Sequence, residues 1–417
     1  MTYSTAPPTR ACPGAARPTI SVVRMARALA LGAAQLAWLP SAQAAVLRVP
    51  AIYPTVQAAV NAASPGDTIR LAGGAHPGPV RIDKDLNLIG DGRPVSTIYA
   101  HVGDGAVMAI DRATVALVNI EIIGGRLVSP GSFAPGSELP GIYAGESSRG
   151  IDATAARLKL RGVMVNHVVN HLVTITNGRL EADDLRLKSG RADYSQADVG
   201  IRIRGSTARL RGLRQMSSTV DHTVDINQPE RDEAAPAWGH SDVEVMQSTV
   251  VSSALSWGHC FRAFSDVSLS LDGVSCTRRP GGEAPQYDNH TAVSVNGPQV
   301  DVRISRCKFR DVPVGISFFG DIGQRNTLSV ERSLFEGHDR GAVLIRSLRY
   351  SGVDLGGGRF GSAGLNVFGA MAGVAVHLDS SSNADVPAYD NVWTGDPERS
   401  IRDRSDDPSL GKVLWQR

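Results

Sequence analysis

The same spacing of apolar residues returns along the chain: apolar, any, apolar, two variable positions, small or apolar, any, apolar. It reads Val115, Leu117, Ile120, Ile122, then Leu158, Leu160, Val163, Val165, then Leu180, Ala182, Leu185, Leu187. Further copies are Val243, Val245, Ser248, Val250; Leu269, Leu271, Val274, Cys276; and Val302, Ile304, Cys307, Phe309. The last two are Leu328, Val330, Ser333, Phe335 and Val353, Leu355, Gly358, Phe360; residues 208–216 form a degraded copy. Starts lie roughly 22 to 43 residues apart, the longer gaps holding inserts. A second alternating segment usually precedes each copy, as in Val173-Thr174-Ile175, Ile201-Arg202-Ile203, Val224-Asp225-Ile226 and Val293-Ser294-Val295. Alternation with period two means strands that bury one side. Several short strands per repeat of this length mean a solenoid, and no sustained 3.6-residue period argues for a βαβ fold. A propeller or sandwich is the architectural alternative.

With 42% hydrophobic and 20% charged residues the chain can bury a large core. Basic and acidic residues number 43 and 41, which gives no broad positive field for nucleic acid. Residues 1–44 read differently. They hold Arg10, Arg17, Arg24 and Arg27 and no acid, then a mostly apolar run from Ala28 to Leu39, Pro40, and Ser41-Ala42-Gln43-Ala44 in the A-x-A arrangement. That is a secretory signal, with cleavage expected after Ala44, and its apolar run is too short to span a bilayer. Loss of its four arginines turns the formal net charge from +2 to −2. The reading is a leader at 1–44 and one β-helix domain at 45–417: exported to the periplasm or the medium, without a transmembrane segment once the leader is gone, and monomeric. Cys260, Cys276 and Cys307 remain in the mature chain. One disulfide and three buried thiols both fit.

The stretch YPTVQAAVNAASPGDTIRLAGG (53–74) opens with a short helix, Val56, Ala59, Val60 and Ala63 on one face, Thr55 at its start and Pro65-Gly66 at its end. Such a helix covers the open end of a solenoid. Together with VRIDKDLNLIGDG (80–92), this stretch resembles the opening of right-handed parallel β-helix proteins of the pectin-lyase-like superfamily, and residues 389–415 resemble the closing segment of bacterial β-helix-repeat proteins. The resemblance implies an all-β, right-handed parallel β-helix with a short N-terminal capping helix. It does not fix an activity. Thr223-Val224-Asp225-Ile226 lacks the rest of the pectin methylesterase motif. Asp183-Asp184, Arg202-Ile203-Arg204 and Gly258-His259-Cys260 stand in the wrong order for a polygalacturonase. Neither Asp221-His222 nor Asp288-Asn289-His290 matches the D-P-H-D of alginate epimerases. No family's active site is carried over.

Equivalent outward residues of neighbouring coils lie about 4.8 Å apart in such a fold. The alignment places Thr174, Arg202, Asp225, Arg262 and Ser294 in one outward column, with Arg204 and Asn227 beside it and His222 entering the same coil. An arginine fork suits a planar carboxylate, and an acid with a histidine can move a proton. The candidate catalytic residues are therefore Asp225 and His222. The candidate substrate-binding residues are Arg202, Arg204, Arg262, Asn227 and Tyr287, and an ordinary salt-bridged surface is the competing reading. Inserts at 124–149, 228–240 and 277–290 carry Tyr143, Trp238 and Tyr287, ring types that stack on sugars; the first and third leave from the same corner of the coil. His259, His338 and His377 read as isolated turn or surface residues. No cofactor is identified, and calcium held between separated coils stays open. The functional expectation is an exported protein that binds or modifies polysaccharide, including uronate-containing polymers, as a lyase, epimerase or hydrolase. The alternative is a non-catalytic glycan-binding or cell-envelope scaffold.

Overall fold

The computed structural model describes residues 44–416 except 93–94, 104, 128–141, 145–148, 169, 189–198, 219–221, 230–237, 253–257, 279–289, 321–324, 349 and 380. The leader expected at 1–44 lies outside them but for Ala44, and among the described residues no helix is long and apolar enough to cross a membrane. The chain winds through three long parallel sheets in rotation. One coil runs Thr114–Val118 in the first sheet, Ile120–Leu127 in the second and Arg149–Thr154 in the third. The next runs Arg157–Arg161, Met164–Asn166, His171–Thr176, each strand in register with the one above: Leu158 on Val115, Val165 on Ile122, Val173 on Ile151.

The repeat explains itself in this geometry. Its first apolar pair lies on a first-sheet strand and its second pair in the corner and second-sheet strand that follow; the separate alternating segment is the third-sheet strand. Between the pairs, the backbone must turn within one or two residues. It does so through a left-handed residue in each coil: Asn119, Gly162, Asp184, Gly212, Gln247, Gly273, Arg306 and Arg332, with φ between 47° and 64°. Asn, Asp and Gly tolerate that conformation best. The inward residues Leu185, Val245, Leu271, Ile304 and Val330 are buried to within 1% exposure and belong to one continuous apolar core. The helix Val56–Ala62 closes the N-terminal end, Thr55 Oγ1 accepting the Ala58 N–H at 3.1 Å, with Val56, Ala59 and Val60 buried. Cys260, inward on the third sheet, is bonded to Cys276, inward on the second, so the bridge crosses the core; Cys307 keeps a buried thiol that burial pushes up to about 12.

The pattern at 353–360 breaks. Val353 and Leu355 are buried, but Gly358 and Phe360 are not inward strand residues, and the second-sheet strand of this coil is Val367–Phe368. The cause is Asp354, whose side chain is fully buried. Its Oδ1 accepts the N–H groups of Gly356 and Gly358, both at 3.0 Å, and its Oδ2 those of Phe360 (3.0 Å) and Ser362 (3.2 Å). The loop curls around the carboxylate instead of extending. Glycine at 358 is needed for close approach, since a Cβ there would lie 2.8 Å from the Asp354 carboxyl carbon.

Candidate functional site

The outer face of the third sheet carries one unbroken ladder of equivalent positions: Arg81, Ala109, Asp152, Thr174, Arg202, Asp225, Arg262, Ser294, Ser317, Leu344, His377 and Arg402. The order expected from sequence holds from Thr174 to Ser294. At the centre, Arg262 grips Asp225 with two parallel bonds, Nε to Oδ1 at 2.8 Å and a terminal nitrogen to Oδ2 at 3.0 Å, and Arg202 approaches Oδ2 to 3.6 Å. Asp225 is wholly buried and Arg202 nearly so, while the Arg262 side chain keeps 20% exposure. This is a desolvated arginine–carboxylate–arginine triad. The fully solvated surface pairs weighed at the sequence level do not describe it.

That burial revises several roles. Both oxygens of Asp225 are engaged by the Arg262 fork, inside the sheet face and away from solvent. His222 Nδ1 accepts the His259 N–H at 3.1 Å, so its neutral ring carries the proton on Nε2, a donor position. Asn227, expected to face a ligand, is buried with φ 53°. Its amide nitrogen donates to the carbonyls of Ser265 (2.9 Å) and Asp266 (3.1 Å), and its oxygen accepts from Gly205 N–H and the Ser241 hydroxyl, both at 2.9 Å. The left-handed turn swings this side chain inward, where it ties three coils together. The guanidinium of Arg204 lies 4.4 Å over the Trp238 ring, so each covers the other's flat face. Tyr287 lies outside the described residues; at Tyr143 only the backbone, paired with Arg126, is described. His259 is not isolated: its ring sits 5.2 Å from that of His222. His338 is fully buried, with Nδ1 2.7 Å from the Val312 carbonyl oxygen.

The histidines here are held neutral. Burial lowers His222 and His259 well below the usual imidazole range; next comes Arg262 for His222, and the neighbouring His222 followed by Arg262 for His259. Burial, then Arg202 and Arg149, takes His171 down to about 3, and burial with Lys188 takes His167 to about 4. Unfolded histidines take up protons below about pH 6.5, and these folded ones do not. The unfolded state therefore binds more protons as pH falls, and stability present above pH 6.5 is lost on the way down to the folded values. Between pH 7 and pH 5 we expect a loss of about 2 kcal/mol for each of His167 and His171. Denaturant midpoints across this range test it. His171→Gln should flatten the slope, and an unchanged slope refutes the assignment.

Two depressions flank the triad on this face. One, of about 830 Å³, lies between the capping helix and the first third-sheet strands and is bordered by Asn61, Lys84, Asp111 and Asp152. The other, of about 370 Å³, begins at His259 and Thr291 and has Ser294 and Ser317 on its floor. Asn296, Phe319, Arg340 and Arg346 complete it, and the described residues lining it include no carboxylate. Sequence reading missed this groove. Ser294 was placed in the column, but Arg340 stands at the corner before its strand and Arg346 at the strand's end, outside the column that was followed.

No family model matches the chain and no curated protein matches it. Solved structures do. PfbA, a surface adhesin of Streptococcus pneumoniae, aligns with a TM-score of 0.50 at 9% identity over 83% of this chain and 84% of its own. An alginate lyase from a Paenibacillus species aligns at 0.38 and 10% identity, over 89% and 98% of the two chains. The polygalacturonase of Erwinia carotovora aligns at 0.41 and 12%, over 90% and 96%. Identity this low speaks for fold alone, and the likeness to PfbA, with the three parallel sheets, makes the chain a right-handed parallel β-helix.

Proposed function

We propose that the protein is exported and binds an acidic, uronate-containing polysaccharide along the outer face of the third sheet. The observation that carries this reading is the groove with Arg340, Arg346, two serine hydroxyls and Phe319, in line with the partly exposed Arg262. Arginine forks recognise carboxylates, hydroxyls serve sugar oxygens, and one ring offers an apolar face. Export is supported by the leader pattern and by the Cys260–Cys276 bridge, which suits an oxidising compartment. Binding is favoured over proton transfer because Asp225 and the His222 Nδ1 lone pair are already engaged. The alginate lyase and polygalacturonase among the solved likenesses act on such polymers by name, and the adhesin fits a non-catalytic surface role.

The test is calorimetry of the exported protein against polygalacturonate, alginate and neutral dextran, with and without calcium. Binding to the acidic polymers alone is expected. Arg340→Ala and Arg346→Ala should each weaken it about tenfold, the worth of one charge-assisted hydrogen bond. Equal binding of dextran, or full affinity in both variants, would remove the groove from consideration.

A further inference from the structure

The first coil begins where the sequence places the end of the leader. Ala44 and Ala45 are both exposed, and the strand Val46–Val49 starts directly after them. Ala45 is held from two sides. Its N–H donates to Asp67 Oδ1 at 2.7 Å, and its carbonyl oxygen accepts the Thr68 N–H at 2.8 Å. Asp67 is buried to 7% exposure, and its Oδ2 accepts the Ser64 N–H at 2.8 Å. This carboxylate therefore ties the start of the first strand to the loop that leaves the capping helix Val56–Ala62. Among the described residues it meets backbone N–H groups and no side-chain cation. A buried carboxylate is better satisfied by a positive charge than by neutral donors.

We propose that Asp67 is the receptor for the processed N-terminus, and that the α-ammonium group of Ala45 docks on it as an ion pair. The proposal rests on the export reading, with cleavage after Ala44. Hydrolysis breaks the C–N bond between Ala44 and Ala45. The water oxygen stays with Ala44 as a carboxylate, and both water hydrogens go to the Ala45 nitrogen, which becomes –NH₃⁺. The nitrogen stays at Asp67 because the Ala45 carbonyl and the strand pairing of Val46 with Thr68 hold the residue in place. One neutral bond becomes charge-assisted, and the other two ammonium hydrogens face water. The charged groups nearby are otherwise engaged or exposed. Lys84 Nζ donates to the Ala63 carbonyl at 3.2 Å, and the Asp85 carboxylate accepts the Thr114 N–H at 2.7 Å. Arg48 and Arg70 are exposed, and Arg70 has Asp91 as its partner. The helix itself carries no charged residue. The Asp67 carboxylate then holds the α-amine above its ordinary value of about 7.7–8.0. Its stabilisation is fully present below that range and is lost as pH rises through the folded value. The precursor lacks this charge, so the N-terminal cap tightens only after the leader is removed.

The exported protein and two variants test this. Intact mass should begin at Ala45. Insertion of Gly-Gly between Ala44 and Ala45 moves the new amine up to about 7 Å away and leaves an ordinary amide at Ala45. Exposed Ala44 shows that there is room for the added residues. Acetic anhydride labels only the neutral amine, and mass analysis of the N-terminal peptide follows the reaction at pH 7. The wild type should react about tenfold more slowly than the Gly-Gly chain, the equivalent of one pH unit. Asp67→Asn should bring the rate back to that of the Gly-Gly chain. In urea, the advantage of the wild type over the Gly-Gly chain should disappear between pH 7 and pH 10. Circular dichroism checks folding, and the Gly-Gly comparison decides the matter if Asp67→Asn does not fold. A mass that begins elsewhere overturns the proposal through the export reading. The expected mass with equal labelling rates overturns the docking itself and leaves the cleavage standing.

Discussion

Asp354→Ala is expected to lower stability by about 4 kcal/mol or more. Four backbone N–H groups converge on this one buried carboxylate, and each buried donor left without an acceptor costs about 1–3 kcal/mol. Water relieves part of that cost, since Gly358 and Phe360 are partly exposed. Asp354→Asn should fall between the two, because an amide oxygen can still accept while its NH₂ group faces donors. Equilibrium urea unfolding measures both. A midpoint for the alanine variant indistinguishable from wild type would mean that the loop at 355–362 holds its shape without the carboxylate.

Asp225→Asn should cost about 3–5 kcal/mol, the usual price of leaving buried charge uncompensated. The carboxylate is wholly buried between Arg202 and Arg262, and the amide would present NH₂ to one of the guanidinium groups. Had the column been solvated, the same change would have left stability nearly untouched. A double-mutant cycle with Arg262→Met separates the cases. Coupling near zero between the two sites would mean that Asp225 is not paired as drawn. Polysaccharide binding should weaken as well, because Asp225 fixes the Arg262 fork at the margin of the groove.

The solenoid and its columns were legible in the sequence because both depend on period two and on coil length. Leu271 and Ile304 could be assigned inward from alternation alone, and Arg202, Asp225 and Arg262 could be aligned across gaps of 23 and 37 residues. What alternation cannot report is depth. It marks Asp225 as outward, and the structure buries it all the same. Nor does it see the sign of φ, which decides that Asn227 turns inward and not toward a ligand. Phe360 fitted the apolar spacing, yet the loop follows Asp354 and not the spacing. Arg340 escaped notice because it precedes its strand and belongs to no column.

The corners of the coil are unequal, and this bears on how such a molecule can change. From Thr114 to Glu336 the chain passes from first to second sheet in one or two residues through a left-handed turn. The passage from second to third sheet always takes more and varies widely in length. New sequence can therefore enter at this edge, which borders the groove, as it also does between Ile226 and Ser241, without shifting the register of the strands on either side. An inherited lineage of this fold can trial ligand after ligand at that edge while every inward position stays under the same packing constraint.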